Sequence, residues 1–554
     1  MNSRKLFFIG LCFYMAMMVF AGGSRQSTAS PGAIPTLEIG MQQATNVSEY
    51  KDNYLTRVVE KMNNVNLEFY ILPMATAECR TKIALMAASS DLPETLWTTS
   101  LTRELILDYG TNGIFIPLNK HFGDPSKTPY FNRLSNDVQT LLLNDTVSAD
   151  GNNYSFIRYQ PLTWNEMEYR LYINHEWLAK LGIETPKTTD QLREALIAFR
   201  DKDPNGNGRQ DEIGVFGWYN GGYGENVIAA LINSFVYWNP IRGLALDATG
   251  RTVTAPFTET GFRKALQYLN SLYQDKVLDA TTFTTDQVSF RATINAQPMV
   301  VGLTSAGSST HFVIGSANRD TNPAFIAMNP LVPPFSSSDC PGYTPYTPSA
   351  GEQIAFVTNK AKNQDLAVKV MDSFYEGELS IICRYGEKGV DWTDDPAYFA
   401  NNRVTNARLE LGLFSKPSIA ILKNIWPGPV AQFWGNLNPR YVNLEFEETA
   451  CNMDPPLDAN SISSRQSGYH YMNYSGRYPE HILPQLTYTI NDAMALAQPI
   501  TNINDYVKQS IAEFTTGVRD INNDTAWNAY LREMDNMGLQ QWLRASQVTF
   551  DRIR

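Results

Sequence analysis

Thr36-Leu37-Glu38-Ile39-Gly40 decides the fold class, because this short strand-like run is the first of several that alternate with helical stretches. Residues 49–63 carry apolar side chains at helical spacing, and residues 65–72 return to the alternation of a strand. A second helical stretch covers 80–88, and a short strand follows at 92–97. Strand, helix, strand, helix, strand is the pattern of a parallel sheet with helices on its faces. The sequence therefore predicts an α/β protein.

The same alternation continues through the middle of the chain and gives way to helices near the end. Strands are predicted at 154–159, 169–174 and 293–303, and an alternating section at 217–238. Helices are predicted at 175–181, 188–199 with Thr189 as the cap, 259–274, 366–375, 503–516 and 525–537. Residues 330–348 contain six prolines and predict a linker or a crossover. A chain of 554 residues is too long for one ordinary core, so two or more domains are expected.

The helix predicted at 188–199 runs into the polar stretch Asp203-Pro204-Asn205-Gly206-Asn207-Gly208-Arg209-Gln210-Asp211-Glu212, called here the acidic loop. Its oxygen-bearing side chains recur at alternate positions, as in a calcium loop of the EF-hand type, and a glycine stands where that loop turns sharply. The glutamate that closes such a loop is replaced by Gly214, and Glu212 is the nearest substitute. Converging carboxylates repel one another, so the pattern favours a bound hard cation. The alternative is a plain polar Asn-Gly turn.

The first residues are typical of a secretion signal. Arg4 and Lys5 precede an apolar run of 15 residues, 6–20, which is short for a transmembrane helix. Small residues at the expected positions predict cleavage after Ala21, so residues 1–21 are interpreted as a signal peptide and 22–31 as a flexible tether. The alternative is an uncleaved anchor. We expect a mature protein that is soluble and lies outside the cytoplasm.

Composition excludes two classes of partner. The 43% hydrophobic and 18% charged content fits a folded globular protein. A net charge of -11 argues against a nucleic-acid surface and gives no polybasic anchor for anionic lipid. After the signal, the cysteines are Cys79, Cys340, Cys383 and Cys451, and their three possible full pairings stay open. None has the Cys-x-x-Cys spacing of a zinc or redox site.

The motifs of common enzymes are missing, so we predict a protein that is not an enzyme. The five histidines, at 121, 175, 311, 470 and 481, have no metal-binding spacing. The chain has neither a Gly-x-Ser-x-Gly elbow nor a phosphate-binding glycine loop. Because acidic residues are abundant, the carboxylate pair of a secreted glycosidase stays as an alternative.

Aromatic residues cluster where predicted strands give way to loops, which favours a binding function. Aromatic rings can stack on the apolar faces of sugars, while neighbouring polar side chains such as Asn165, Glu166, Asn220, Glu225 and Asn226 bind hydroxyl groups. For any one of these aromatics, the alternative is packing in the core. The candidate ligand-binding residues are Trp97, Trp164, Trp218, Tyr219, Tyr223, Trp238, Trp426 and Trp434.

Five stretches carry a more specific signal. They are Leu171-Tyr172-Ile173-Asn174-His175-Glu176-Trp177-Leu178-Ala179-Lys180-Leu181-Gly182, Thr188-Thr189-Asp190-Gln191-Leu192, Met86-Ala87-Ala88-Ser89-Ser90-Asp91-Leu92-Pro93, Tyr385-Gly386-Glu387-Lys388-Gly389-Val390-Asp391-Trp392 and residues 527–542. Together they resemble the family 1 extracellular solute-binding proteins of ABC importers, in the expected order. The chain length and the acidic loop are most similar to the large branch that includes alginate oligosaccharide-binding proteins.

The resemblance implies two α/β lobes with a ligand cleft between them, the fold of periplasmic binding proteins. One lobe would hold about 32–160 and 346–395, and the other about 161–345 and 396–554. It also implies a monomer that captures a carbohydrate, expected to be an oligosaccharide, by cleft closure and delivers it to an ABC transporter permease. A peptide or another non-sugar solute is the alternative ligand. An uronate would require arginine or lysine in the cleft, and Arg158, Arg170, Arg242 and Arg291 are available.

The resemblance further implies a structural calcium ion that does not touch the solute. Its expected ligands are Asp203, Asn205, Asn207, the Arg209 carbonyl, Asp211 and Glu212. The family's lipid anchor does not carry over, because Gly23 stands where many members have a cysteine.

Overall fold

The computed structural model describes residues 33–161, 166–307, 311, 324–333, 341–402, 404–405, 412, 415–423, 425–426, 429–453, 473–474 and 476–554. Within them, buried apolar side chains form two large clusters and two smaller ones. One large and one small cluster cover the two faces of one sheet, and the other two cover a second sheet. The protein is therefore an α/β protein with two lobes, as predicted.

The strands are short, and most lie in one of two sheets. In chain order they are β1 Thr36–Gln42, β2 Asn66–Leu72, β3 Thr95–Trp97, β4 Ser155–Tyr159, β5 Arg170–Asn174, β6 Ile213–Val215, β7 Ala245–Leu246, β8 Val253–Thr254, β9 Val301–Ala306, β10 Phe325–Ala327, β11 Glu352–Val357, β12 Trp392–Thr393, β13 Val404–Thr405, β14 Ala420–Ile421, β15 Arg440–Tyr441 and β16 Cys451–Met453.

The helices flank both sheets and dominate the end of the chain. They are α1 Tyr54–Asn63, α2 Thr76–Ala88, α3 Arg103–Thr111, α4 Asn119–Phe122, α5 Asn136–Thr146, α6 His175–Leu181, α7 Thr189–Lys202, α8 Val227–Ile232, α9 Thr260–Gln274, α10 Gln287–Ile294, α11 Gln364–Ser373, α12 Gly377–Tyr385, α13 Pro396–Asn401, α14 Leu444–Thr449, α15 Ile490–Thr516, α16 Asp524–Asn536 and α17 Leu539–Ile553. In the described part of the chain, no helix has both the length and the apolar character needed to cross a membrane.

The first lobe is built on a six-stranded sheet in the order β15-β4-β11-β3-β1-β2. Strand β1 is parallel to β2 and β3, whereas β11 is antiparallel to both of its neighbours. Successive residues of a strand face opposite sides, so Trp97 enters the large cluster and Leu96 the small one. Helix α12 packs on the Trp97 face and α3 on the Leu96 face.

The second lobe is built on a four-stranded sheet in the order β10-β5-β9-β6. Helices α7, α8, α9, α15, α16 and α17 contribute to its large core. The chain passes between the lobes after β4 and again between β10 and β11. By Tyr474 the chain has returned to the second lobe, because the Tyr474 hydroxyl donates to the Met328 carbonyl at 2.7 Å.

The later part of the first lobe extends further than the boundary predicted at residue 395. Ile419, Trp434 and Leu437 belong to the first lobe's large core, and β15 pairs in parallel with β4. Residues 396–453 were predicted in the second lobe, but their described core residues pack in the first. The physical reason is Trp434, which fills the space beneath Trp97 at a ring distance of 5.5 Å.

Three local predictions need correction. Thr188, and not Thr189, caps α7, in a capping box with Gln191. The section at 217–238 contains helix α8, all of whose residues are buried. In the segment 293–303, only the end is strand, because its start belongs to α10. Cys79, Cys383 and Cys451 are buried free thiols, and Cys340 lies outside the described residues.

Candidate functional site

The acidic loop is closed by its own backbone. It leaves α7 at Asp203, which has a left-handed φ of 45°. The Asp203 carboxylate accepts hydrogen bonds from the backbone N–H groups of Gly206, Asn207 and Gly208 at 2.9, 3.1 and 2.9 Å. Left-handed φ values of 73° at Gly206 and 75° at Gly208 allow the sharp turns. The loop therefore folds around the first of its expected ligands.

The remaining polar side chains of the loop point toward one another. The side-chain amides of Asn205 and Asn207 donate to Asp211 at 3.0 and 3.1 Å. Glu212 is 7% exposed, and neither of its carboxylate oxygens makes a hydrogen bond of ordinary geometry. Burial raises the pKa of Glu212, and the charges of Asp203 and Asp211 add to this rise. A buried carboxylate whose pKa is lowered only by nearby backbone N–H groups and raised by two neighbouring carboxylates fits a site that holds a cation.

The donor set is mixed rather than a cluster of acids. Among the residues that the structure describes, no group of three or more His, Cys, Asp or Glu side chains is placed to hold a metal ion. The loop instead combines carboxylates with the amide groups of Asn205 and Asn207 and the Arg209 carbonyl. Amide oxygen and nitrogen can be exchanged by a flip of the side chain. In this structure the Asn205 and Asn207 oxygens accept from the backbone N–H groups of Asn207 and Arg209 at 3.0 and 2.8 Å, so binding of calcium would require both side chains to turn their oxygens toward the ion.

A second polar cluster lies on the second lobe, around Tyr223. Glu225 has a side chain that is 2% exposed, and it forms an ion pair with Arg291. His311 Nδ1 lies 3.3 Å from the same carboxylate, and the His311 ring meets the Tyr223 ring edge-on at 5.9 Å. Burial, together with the charges of Arg291 and Arg170, lowers the pKa of His311 to about 3. His311 is therefore neutral at physiological pH.

Two glycines determine the position of the Tyr223 ring. Gly224 has a left-handed φ of 67°, and a Cβ there would lie 2.1 Å from the Glu168 carbonyl oxygen. A Cβ on Gly307 would lie 2.4 Å from the Tyr223 ring. A side chain at Gly307 would displace the Tyr223 ring, and a side chain at Gly224 would displace the backbone of Glu168, so both glycines are needed for the observed position of the ring.

The first lobe faces this cluster with Arg384, at the end of α12. Its guanidinium lies 5.2 Å from the Trp426 ring centre, and its carbonyl accepts from Trp426 Nε1 at 3.0 Å. Arg384 Nε is 3.3 Å from Glu447, whose side chain is fully buried. Burial raises the pKa of Tyr223, and the charges of Arg170 and Arg384 oppose this rise. Tyr223 therefore lies within electrostatic reach of the opposite lobe. We call Tyr223, Glu225, Arg291, His311, Arg384 and Trp426 the interlobe site.

The first crossing segment is tied to the interlobe site by Gln160. Its side-chain amide donates to Glu447, and its amide oxygen accepts from Arg440 Nε at 3.0 Å. Tyr385 donates its hydroxyl to the other oxygen of Glu447 at 2.9 Å. Glu447 therefore joins α12, α14 and the crossing in one hydrogen-bonded group.

The structure separates the predicted aromatic residues into two groups. Trp97 and Trp434 are 0% exposed in the first core, and Trp238 packs on Phe262 in the second. Tyr219 is buried and donates to the Lys508 carbonyl at 3.2 Å. These four rings present no free face. Tyr223 and Trp426 are half-buried at the interlobe site, and Trp218 is half-buried beside the smaller core of the second lobe. Trp164 lies outside the described residues.

The sequence did not single out Arg384, Glu447, Gln160 or His311. Arg384 directly precedes the Tyr385-Gly386 motif, which was the available signal. Of the four arginines considered for an anionic ligand, Arg158 pairs with Glu352 and Arg291 with Glu225. Arg170 donates to the Gly307 carbonyl.

Comparison with known proteins supports a binding role. The chain is 24% identical over 509 residues to the fructooligosaccharide ABC transporter substrate-binding protein FusA of Streptococcus pneumoniae, a match that covers 90% of this chain and 86% of FusA. It is 26% identical over 238 residues, 42% of this chain and 43% of the relative, to the polygalacturonan/rhamnogalacturonan-binding protein YtcQ of Bacillus subtilis. No protein-family model matches the chain.

Solved structures have the same fold. FusA in complex with kestose superposes with a TM-score of 0.71 at 21% identity, over 93% of this chain and 99% of FusA. An extracellular solute-binding protein from Bifidobacterium longum subsp. infantis gives a TM-score of 0.74 at 19% identity, over 95% and 100% of the two chains.

Two further solved structures bear on the acidic loop. One is FusA as an EF-hand mutant, with a TM-score of 0.71 at 20% identity over 93% of this chain and 99% of FusA. The other is the alginate-binding protein AlgQ2 without calcium ion, with a TM-score of 0.61 at 20% identity over 94% of this chain and 98% of AlgQ2. Calcium is thus associated with relatives of this chain. The resemblance predicted from the motifs is confirmed: the chain has the two-lobe fold of the substrate-binding proteins of ABC transporters and is similar to one of them over most of its length.

Proposed function

We propose that the protein is the extracytoplasmic substrate-binding component of an ABC transporter and that it captures an oligosaccharide between its lobes. The single observation that carries this proposal is the interlobe site, where a polar and aromatic cluster around Tyr223 and Glu225 on the second lobe is matched by Arg384 and Trp426 on the first. The relatives named above bind oligosaccharides or polysaccharides. The protein would act as a monomer and without catalysis, after export with removal of residues 1–21.

The chemistry of the interlobe site suits a sugar. Tyr223 and Trp426 offer partly exposed rings that can cover the apolar faces of a sugar ring. Arg291 and Arg384 are held by carboxylates of their own lobes, so their remaining N–H groups are fixed donors for hydroxyl groups. Fixed donors lose little conformational entropy on binding.

The charge balance of the interlobe site favours a neutral sugar over an uronate. Arg291 is paired with Glu225, and Arg384 with Glu447. The carboxylate of an uronate would be bound best by a cation that has no carboxylate partner. Arg291 and Arg384 each have such a partner, and the further positive charge that acts on Tyr223 and His311 is that of Arg170. We therefore infer a neutral oligosaccharide as the preferred ligand.

Closure of the cleft would be a shift between two arrangements of the lobes, driven by a ligand that contacts both. Gln160 connects the first crossing to Glu447. A movement of the crossing would therefore also move the Glu447 carboxylate, which holds Arg384. The closed form would then be the one that docks on the permease.

The ligand can be tested by calorimetry and tryptophan fluorescence with kestose and other neutral oligosaccharides, beside oligouronates and peptides. We expect binding of at least one neutral oligosaccharide, without release of reducing ends. Trp426→Ala should weaken this binding about 30-fold, the loss expected when an interface hot spot worth about 2 kcal/mol is removed. The control is Tyr70→Ala, since Tyr70 is 43% exposed on the edge strand β2. Binding of peptides alone, or of no member of the panel, would contradict the proposal.

We also propose that the acidic loop binds calcium with a structural role. Asp203, Asn205, Asn207, the Arg209 carbonyl, Asp211 and Glu212 would hold the ion, which would neutralise the buried Glu212. Removal of calcium with a chelator should lower the melting temperature, because an ion that binds only the folded state stabilises it. Ligand affinity at room temperature should stay the same. Glu212→Gln should abolish the calcium-dependent part of the melting temperature, whereas Glu184→Gln, at an exposed position before α7, should not. Loss of ligand binding in a chelated but folded protein would place the ion at the interlobe site instead.

A further inference from the structure

A second cavity between the lobes lies beside α3. Its volume is about 660 Å³. The first lobe contributes α3 and residues 144–151, the second crossing contributes 348–350, and the second lobe contributes residues between 482 and 487 and the end of α17. Helix α3 packs on the Leu96 face of the first sheet, whereas α12 with Arg384 packs on the Trp97 face. The lining of this cavity and the interlobe site share no residue.

The charges that line the cavity are mostly positive. Four arginines but only one carboxylate side chain, that of Asp145, are among the lining residues. Arg103 belongs to the first lobe and Arg242 to the second. The chain as a whole carries a net charge of -11. The side chains that line the cavity are therefore mostly positive in a protein that is negative overall.

The two central arginines have few protein partners. Arg103 Nη1 donates to Thr487 Oγ1 at 3.1 Å, a contact between the lobes. Arg242 Nη1 donates to the Leu483 carbonyl at 3.4 Å. A guanidinium group has five N–H donors, and within the described ranges neither arginine forms an ion pair within 4 Å. Most of their donors are therefore available to a ligand.

Electrostatics make this arrangement costly without an anion. Burial is the largest effect and lowers the pKa of Arg103 and of Arg242. The charge of Asp145 opposes this change at both arginines, whereas the charge of Arg242 lowers the pKa of Arg103. Asp145 offers one negative charge against the two positive charges of the arginines, and one of its oxygens also accepts from the Gly351 N–H at 2.9 Å. Burial also raises the pKa of Asp145. Two half-buried like charges repel each other, and a bound anion would relieve that repulsion.

We propose that this cavity binds a small anion with a carboxylate or phosphate group, held between Arg103 of the first lobe and Arg242 of the second. Planar guanidinium groups bind such oxyanions through paired hydrogen bonds. Because the two arginines belong to different lobes, the anion links the lobes through residues that are not part of the interlobe site. The anion is thus a second ligand, independent of the transported solute.

The site is tested by calorimetry on the full-length mature protein at low ionic strength, with inorganic phosphate and with glucuronate as probes. Glucose is the neutral control. We expect at least one anion to bind, with an affinity that falls as sodium chloride is added, since salt screens the attraction. Binding of phosphate alone identifies a phosphate ligand, and binding of glucuronate alone identifies a carboxylate ligand. No binding of either anion, or equal binding of glucose, would overturn the proposal.

Variants locate the site. Arg103→Gln and Arg242→Gln should each weaken anion binding at least tenfold, whereas Arg532→Gln, at an exposed position on α16, should have no effect. Asp145→Asn should strengthen binding, because it removes the only negative side chain from the lining. This gain does not depend on the stability of the arginine variants. An unchanged affinity in Arg242→Gln or a weaker one in Asp145→Asn would place the anion elsewhere.

The proposed bridging of the two lobes by the anion can be measured separately, as a change in the size of the protein. Small-angle X-ray scattering should show a smaller radius of gyration when the binding anion is added to the wild type, and no change in Arg242→Gln. An equal decrease in both proteins would show that the anion does not act through this pair.

Discussion

At the scale of single residues, buried charge decides the character of the interlobe site. Glu225 and Glu447 are both sealed from solvent, and each is held beside an arginine. The sequence could place neither pair, because the partners are 66 and 63 residues apart and surface acids look the same as buried ones. The same holds for aromatics. Trp97 and Trp426 are indistinguishable in the sequence, yet one fills a core and the other stands beside Arg384.

The neutral His311 gives a prediction about acid stability. Its pKa of about 3 in the folded protein lies below the ordinary value of 6.5. As the pH falls from 6.5 toward 3, the unfolded chain binds a proton before the folded protein does, so the free energy of unfolding decreases. In His311→Gln this loss should be absent, and the difference in slope should reach up to about 1.4 kcal/mol per pH unit.

Urea unfolding at several pH values measures this slope. The matched control is His481→Gln, because His481 is exposed. We expect the control to follow the wild type. Parallel curves for all three proteins would show that His311 takes up its proton as easily in the folded state as in the unfolded one.

At the scale of elements, local periodicity was enough where one face of an element is buried and the other is exposed. Helix α9 was predicted to within a residue, because its buried residues recur at helical spacing. Helix α8 was missed because all six of its residues are buried, so no amphipathic pattern exists. Strand β15 was missed because two residues carry no periodic signal and their pairing with β4 joins residues far apart in the chain.

Helix α7 and the acidic loop form one unit, and the cap of the helix gives a second prediction. The Thr188 side chain accepts from the Gln191 N–H, and the Gln191 side chain accepts from the Thr188 N–H. Thr188→Ala removes one half of this capping box and should lower the free energy of unfolding by about 1 kcal/mol. Thr188→Ser keeps the hydroxyl and should stay close to the wild type in urea unfolding. Equal losses in both variants would mean that the methyl group of Thr188, and not its hydroxyl, stabilises the helix.

At the scale of the whole molecule, the sequence predicted the fold class and the two lobes. It did not predict that the described core residues of 396–453 pack in the first lobe. That segment folds onto the first lobe through Trp434, whose Nε1 donates to Thr56 Oγ1 at 2.9 Å. Trp434 also contacts the rings of Trp97, Phe69 and Phe374. Contacts of this kind join distant parts of a chain, and no local pattern reports them.

Trp434→Ala tests this assignment. Removal of a buried aromatic ring should cost about 3–5 kcal/mol. Hydrogen exchange should become faster in β1 and β3 and stay the same in β5 and β9, because the lost contacts lie in the first core. Trp177→Ala, in the second core, should give the opposite pattern. Faster exchange in β5 and β9 of Trp434→Ala would indicate that residues 396–453 pack in the second lobe instead.

The edge strand β15 has a consequence for the order in which the protein is made. The sheet of the first lobe begins at Thr36 and is completed by Tyr441, so about four fifths of the 554 residues must be synthesised before that sheet can close. Until then the first lobe of the nascent chain is incompletely folded. This late closure agrees with the export proposed above, because a chain whose first sheet is still open can pass through a narrow channel in an extended form.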